Sequence, residues 1–276
     1  VMSFLSDFIE YPFLLRALIA TGVLSLTCGL ISPLIIAKRY AFLGSAVSHS
    51  TLLGLSLGLF ISGTNAPLSL YLWTLGITLV LSLFLAQSTW RQSLPSDSLI
   101  GLFFTATMGL GTLIHSLTSR NSGDLMSFLF GNVLLLTNTD IYISILLAVL
   151  IIPLILIPFK QWILTIYDED FAILSGIPAR LMHFVFVFVM TALIVSALKI
   201  SGTILVNALL LTPGFFALSF ARDLKLTFFI SVLFSISTAI MGLVLANLFE
   251  TPSGATIAMT QLFVLFMAKA IKFFIK

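Results

Sequence analysis

The chain has 276 residues, of which 59% are hydrophobic and 8% charged, with a formal net charge of +3. A mean hydropathy of +1.20 is more apolar surface than a soluble core of this length can absorb, which excludes a water-soluble globular domain. Unbroken apolar runs such as "ISILLAVLIIPLILIPF" also exclude a transmembrane barrel, whose strands alternate over about 10 residues, and leave an all-α, polytopic helical membrane protein.

The N-terminus lacks a basic region and carries Asp7 and Glu10, so no cleavable signal peptide is expected. Long helices are predicted at 12 to 37, 40 to 61, 66 to 87, 98 to 118, 139 to 158, 181 to 199, 203 to 221, 225 to 248 and 254 to 275, giving eight or nine crossings. The single cysteine, Cys28, falls in the first of these and allows no intrachain disulfide.

In the second predicted helix His49 lies mid-span, with Ser45 four residues earlier on the same face. An imidazole at that depth is either satisfied by hydrogen bonds between helices or serves as a ligand that holds zinc or manganese weakly enough to release it. Gly54 and Gly58 form a G-x-x-x-G face for close packing, within the subunit or at a dimer interface. His115, near the end of the fourth helix, either makes an interfacial hydrogen bond or meets arriving ions. The stretch 125 to 136, "LMSFLFGNVLLL", is too short to cross about 30 Å of hydrocarbon and is expected to be a re-entrant helix, with Asp124 capping it or attracting cations at its outer edge.

Charge orients these elements. With the N-terminus outside and 125 to 136 re-entrant, Lys38, Arg39, Arg91, Lys160, Arg180, Arg222, Lys225, Lys269, Lys272 and Lys276 face the cytoplasm, and only Arg16, Arg120 and Lys199 face outward. Ten against three satisfies the positive-inside rule.

The loop after the fifth helix, "YDEDFAILSGIPAR", is acidic in a chain with only ten carboxylates. Asp168 suits an N-cap, Glu169 and Asp170 suit the positive end of a helix dipole, and Gly176 with Pro178 signals a stop. A helix of about two turns follows, presenting Phe171 and Leu174 at i, i+3. It is either a capped connector or a docking element for a cytoplasmic partner. His183 then begins the sixth helix in a structural role. Asn207 sits in the middle of the seventh helix, which Thr212, Pro213 and Gly214 interrupt toward its inner end. Either the freed carbonyls line a pathway or the kink serves packing.

No linker or repeat divides the chain, so a single transmembrane domain over 1 to 276 is expected. No G-x-x-x-x-G-K-[ST] loop is present, so ATP would have to be used by another chain. An intramembrane metalloprotease would need a set such as H-E-x-x-H, which none of the three histidines provides.

Five stretches together resemble the permease subunits of ABC importers for zinc and manganese, the ZnuB-like and TroC-like family. They are "LGSAVSHSTLLGLSLG" (43 to 58), "DLMSFLFGNVL" (124 to 134), the acidic loop, "SGTILVNALLLTPG" (201 to 214) and "TPSGATIAM" (251 to 259). The acidic loop is similar to that family's coupling-helix region at Tyr167, Asp168, Phe171, Ala172, Gly176 and Ile177.

The resemblance implies a type II ABC importer-like permease that is itself not an enzyme, in a bacterial inner membrane, with no permanently bound cofactor. It would carry zinc, manganese or ferrous iron; a permease for iron chelates or cobalamin is the alternative. The implied partners are a second permease copy or a paralogue, two cytoplasmic ATPases docking on 168 to 177, and an extracytoplasmic metal-binding protein. The family commonly places Asp four residues before the pathway His, where this chain has Ser45, so a carboxylate is missing. A heterodimer whose other half supplies it is the expectation. His49 with Ser45 is the implied metal locus, and Asn207, Asp124 and His115 are further pathway candidates.

Overall fold

The computed structural model describes residues 12–62, 67–90, 96–118 and 136–275. Ten helices are present among them: α1 (Pro12–Ala37), α2 (Ala41–Ser62), α3 (Pro67–Thr89), α4 (Ser96–Thr118), α5 (Asn138–Leu156), α6 (Phe159–Tyr167), α7 (Glu169–Leu174), α8 (Ala179–Phe220), α9 (Leu224–Leu248) and α10 (Ser253–Ile275). Nine segments of the described residues are long and apolar enough to cross a membrane, and they coincide with the nine predicted spans. The sixth and seventh spans are the two halves of α8, separated at Gly202, whose φ of 73° lies in the left-handed region that favours glycine. The predicted re-entrant helix at 125 to 136 and Asp124 lie outside the described residues, except Leu136.

Hydroxyl side chains are frequent in these spans, and the backbone absorbs many of them. Thr27, Ser48, Thr107, Thr191 and Thr238 each donate to a carbonyl three or four residues earlier in the same helix, which pairs those donors in an apolar surrounding.

Packing divides the chain into two compact units, one of Val1–Ile36, Met126–Ile157 and Ser196–Lys276, the other of Ala37–Leu125 and Pro158–Val195. In the first unit α1, α8 and α9 approach through small residues. A Cβ on Gly29 would lie 2.9 Å from the Val232 Cα, and Ser231 Oγ donates to the Gly29 carbonyl at 2.6 Å. The sequence predicts that Thr212, Pro213 and Gly214 interrupt the seventh span; instead the helix continues to Phe220. Only its ladder opens: the Gly214 N–H donates to Ser32 Oγ at 2.7 Å, and Ser32 Oγ donates to the Leu210 carbonyl at 2.6 Å. A hydroxyl from α1 is thereby inserted into the 210–214 step, a recognised cause of helix bending.

In the second unit α2 packs on α3 and α4. A Cβ on Gly54 would meet Thr78 Oγ1 at 2.6 Å and the Thr74 carbonyl oxygen at 2.9 Å, and one on Gly58 would meet Leu70 and Trp73. The G-x-x-x-G face therefore serves packing within the chain, against α3. On its other side α2 touches α4, where Ser56 Oγ lies 3.0 Å from the Gly111 carbonyl oxygen.

The stretch from 159 to 167 adds a short helix outside the predicted spans, with Phe159, Trp162, Ile163 and Ile166 recurring at i, i+3, i+4 and i+7. α6 buries Trp162 and Thr165, and the Trp162 indole meets the Phe186 ring edge-on at 5.6 Å. It leads directly into α7.

Candidate functional site

The acidic loop folds as its residue types dictate. Asp168 is the N-cap of α7, its carboxylate accepting the Phe171 N–H at 2.9 Å, and Glu169 and Asp170 occupy the first turn. At the other end the Ile177 N–H donates to the Ala172 carbonyl at 2.9 Å and the Gly176 N–H to the Ile173 carbonyl at 3.0 Å. This paired pattern is the Schellman stop, and it places Gly176 at φ 78°. Pro178 follows and opens α8, its carbonyl accepting the Met182 N–H.

The side chains divide cleanly between two faces. Ala172 is fully buried, whereas Phe171 is 53% and Leu174 86% exposed, with Ile177 partly buried. An apolar ridge with an acidic N-terminal end therefore stands off the second unit, with Ala172 buried beneath it.

Below this ridge lies a cluster that sequence reasoning missed. His183 of α8 is 1% exposed; its Nε2 lies 3.0 Å from the Ala86 carbonyl of α3 and its Nδ1 2.8 Å from the Tyr40 hydroxyl. A carbonyl only accepts, so Nε2 donates to Ala86, and in that tautomer the Tyr40 hydroxyl donates to Nδ1. The Trp90 and Tyr40 rings pack on the imidazole at 5.2 and 5.7 Å. Lys38 Nζ sits 5.1 Å from the Tyr40 ring centroid and 5.9 Å from that of Phe186, without a hydrogen-bond partner among the described residues. Burial pushes the Lys38 ammonium down to about 8, with Glu169 pulling the other way. Burial, reinforced by the charge of Glu169, pushes the Tyr40 hydroxyl up. The sequence offered only a basic pair at a helix end, because a bond spanning 143 positions leaves no local periodicity.

The predicted metal locus is on α2. Ser45 and His49 are both half-buried and share a helix face. The His49 ring meets the Phe104 ring edge-on at 4.8 Å, and among the described residues no hydrogen bond claims either ring nitrogen. No cluster of three or more His, Cys, Asp or Glu side chains occurs among the described residues.

The remaining pathway candidates are dispersed. His115 is 3% exposed, and among the described residues neither nitrogen has a hydrogen-bond partner. Asn207 is half-buried on α8; one turn on, Thr212 Oγ1 lies 2.8 Å from the Ala208 carbonyl and 2.7 Å from Gln261 Oε1 of α10. A buried carboxylate does occur at Asp140, where it accepts from the Thr137 N–H at 3.1 Å and from its hydroxyl at 2.7 Å, locking the start of α5. The T-x-x-D spacing was its available signal.

Comparison with known proteins follows the same lines. The model of the ABC 3 transport family matches residues 10–272. A manganese transport system membrane protein, MntC, from Listeria innocua is 31% identical over 267 residues, covering 97% of this chain and 93% of its own length. A manganese import system permease protein, ScaB, from Streptococcus gordonii is 30% identical over 261 residues, covering 95% and 92%. The solved structure of PsaBC from Streptococcus pneumoniae in complex with Fab superimposes with a TM-score of 0.84 at 28% identity, covering 96% of this chain and 94% of the matched one.

Proposed function

Because the chain belongs to the ABC 3 transport family, we propose that it is the multi-pass permease subunit of an ABC importer for a divalent metal ion. Manganese is the foremost cargo, supported by the names of the two relatives above, with zinc and ferrous iron the chemically adjacent ones. Residues 1 to 276 act as one permease domain in a bacterial cytoplasmic membrane, N-terminus outward, and the metal is cargo rather than a resident cofactor.

The observation that carries this reading is the outward ridge of α7. A capped, acidic, six-residue helix with Phe171 and Leu174 exposed at i, i+3 has the form of a knob for a groove. Two separate cytoplasmic ATPases grip one such knob on each of two permease chains, and their ATP-driven closure moves the inner helix ends. An extracytoplasmic metal-binding protein delivers the ion.

On the pathway, His49 offers a nitrogen that suits manganese or zinc, and Ser45 offers only a neutral oxygen. A site of one imidazole and one hydroxyl holds a divalent ion poorly, so the second permease chain is a paralogue that contributes the carboxylate. Purification of the assembly from its native host, followed by identification of its permease chains, tests this. Recovery of this chain as the sole permease of a transporting assembly overturns it.

Docking is tested by co-purification. Phe171→Ala removes the central aromatic of the ridge and is expected to weaken capture of the ATPase at least tenfold, since buried aromatic anchors at interfaces carry about 2 kcal/mol or more. Gly176→Ala forces a side chain into the left-handed region at a cost of about 1 to 2 kcal/mol, so it should loosen α7 and lower ATPase occupancy by a smaller factor. Undiminished capture by Phe171→Ala would remove α7 from the interface.

A further inference from the structure

α7 leads into α8 through four residues, with the Schellman bonds on one side and Pro178 on the other. Five residues into α8, His183 meets Tyr40, and Tyr40 is the residue immediately before α2. Its own carbonyl accepts the Gly44 N–H at 3.0 Å, so the backbone that presents the Tyr40 ring also starts the α2 ladder. From Ala41 to Ser62 that ladder contains no proline, and His49 lies on it about 13 Å beyond Tyr40 at the helical rise.

We propose that Tyr40 and His183 are positioning residues that carry a displacement of α7 into α2, the helix bearing Ser45 and His49. This rests on the reading of α7 as the ATPase-docking element. Three observations support it. First, the imidazole is held on both sides, by Ala86 at the end of α3 and by Tyr40 at the start of α2, so α8 cannot shift its first turns without pulling one of them or breaking a buried hydrogen bond. Second, the joint is packed on every side by rings: Trp90 and Phe184 on His183, Phe186 on Tyr40. A close-packed joint transmits a shift rather than damping it. Third, Glu169 in the first turn of α7 acts electrostatically on both Lys38 and Tyr40, which places the acidic end of the docking helix over the same joint. Each of these residues belongs to one compact unit, so the route is continuous within it.

The test uses the complete permease and ATPase assembly in liposomes, supplied with Mn2+ and the delivery protein, measuring ATP hydrolysed per ion taken up. Tyr40→Phe removes one hydroxyl while keeping the ring against Phe186 and under Lys38, so it preserves the packing. It should raise the ATP cost per ion about fivefold or more without reducing ATPase co-purification. His183→Gln keeps a donor for Ala86 and should give a similar rise. The double variant should be no worse than either alone, because both act at one joint. A packing role without transmission would lower thermal stability and leave the ratio where it was. A wild-type ratio in Tyr40→Phe overturns the inference, and so do effects that multiply in the double variant. Should His183→Gln fail to assemble, Tyr40→Phe decides alone. A wild-type assembly that takes up no Mn2+ overturns the importer reading instead, which keeps the two failures apart.

Discussion

Replacing His49 with alanine is expected to cut Mn2+ uptake by the reconstituted assembly at least tenfold while leaving the permease as stable as before. The two halves of that expectation come from the same geometry. An imidazole that supported the fold would have its nitrogens bonded, as those of His183 are to Tyr40 and Ala86. Among the described residues, His49 has the edge of its ring against Phe104 and no hydrogen bond to either nitrogen. A polar group kept half-buried in a span without a hydrogen bond costs about 1 to 3 kcal/mol, so its removal should not lower the melting temperature. Loss of one nitrogen ligand from a site already short of donors costs at least about 1.4 kcal/mol of binding, a tenfold change. His183→Ala should show the opposite pattern, destabilising the fold by stripping two buried bonds. Uptake of radioactive Mn2+ and thermal unfolding in detergent, measured on both variants, separate the cases. Normal uptake in His49→Ala would take that residue out of the pathway.

Most of the fold was legible because a membrane reduces the problem to length and apolarity. The nine spans follow from runs of apolar residues, and the break between 199 and 203 follows from Gly202, which alone tolerates the backbone angle found there. α7 was legible for a different reason: Asp168, Gly176 and Pro178 each act through local backbone bonds, and the structure draws them to the same carbonyls and N–H groups that local chemistry predicts. α6 lies outside the predicted spans because nine residues are too few to cross a membrane, although Phe159, Trp162, Ile163 and Ile166 recur at helical spacing around Lys160 and Gln161. The joint around His183 was hidden because its members come from four places in the chain, at 38 to 40, 86 to 90, 169 and 183 to 186. Likewise nothing local in "GLISPL" says that Ser32 will enter another helix's hydrogen-bond ladder.

That insertion sets the second large expected effect. Gly214→Ala should destabilise the permease by about 3 to 5 kcal/mol, lowering its melting temperature by about 10 °C. A Cβ there would stand 2.5 Å from the Ser32 carbonyl carbon, 2.6 Å from its oxygen and 2.7 Å from its Oγ. Backbone cannot rotate out of the way as a flexible side chain can, so α1 and α8 must separate. Separation then also breaks both bonds that Ser32 Oγ makes to the Gly214 N–H and the Leu210 carbonyl and opens the packing between the two helices. Ser32→Ala is milder by the same logic, because with the hydroxyl gone those two groups can close on each other as an ordinary helical bond. Gly109→Ala is the control: a Cβ there meets nothing within 4 Å, and alanine favours the helix over glycine by about 1 kcal/mol. The expected order of melting temperatures is therefore Gly109→Ala highest, Ser32→Ala between, and Gly214→Ala lowest. An unchanged melting temperature in Gly214→Ala would mean that α1 and α8 do not approach as closely as Ser32 and Gly214 indicate.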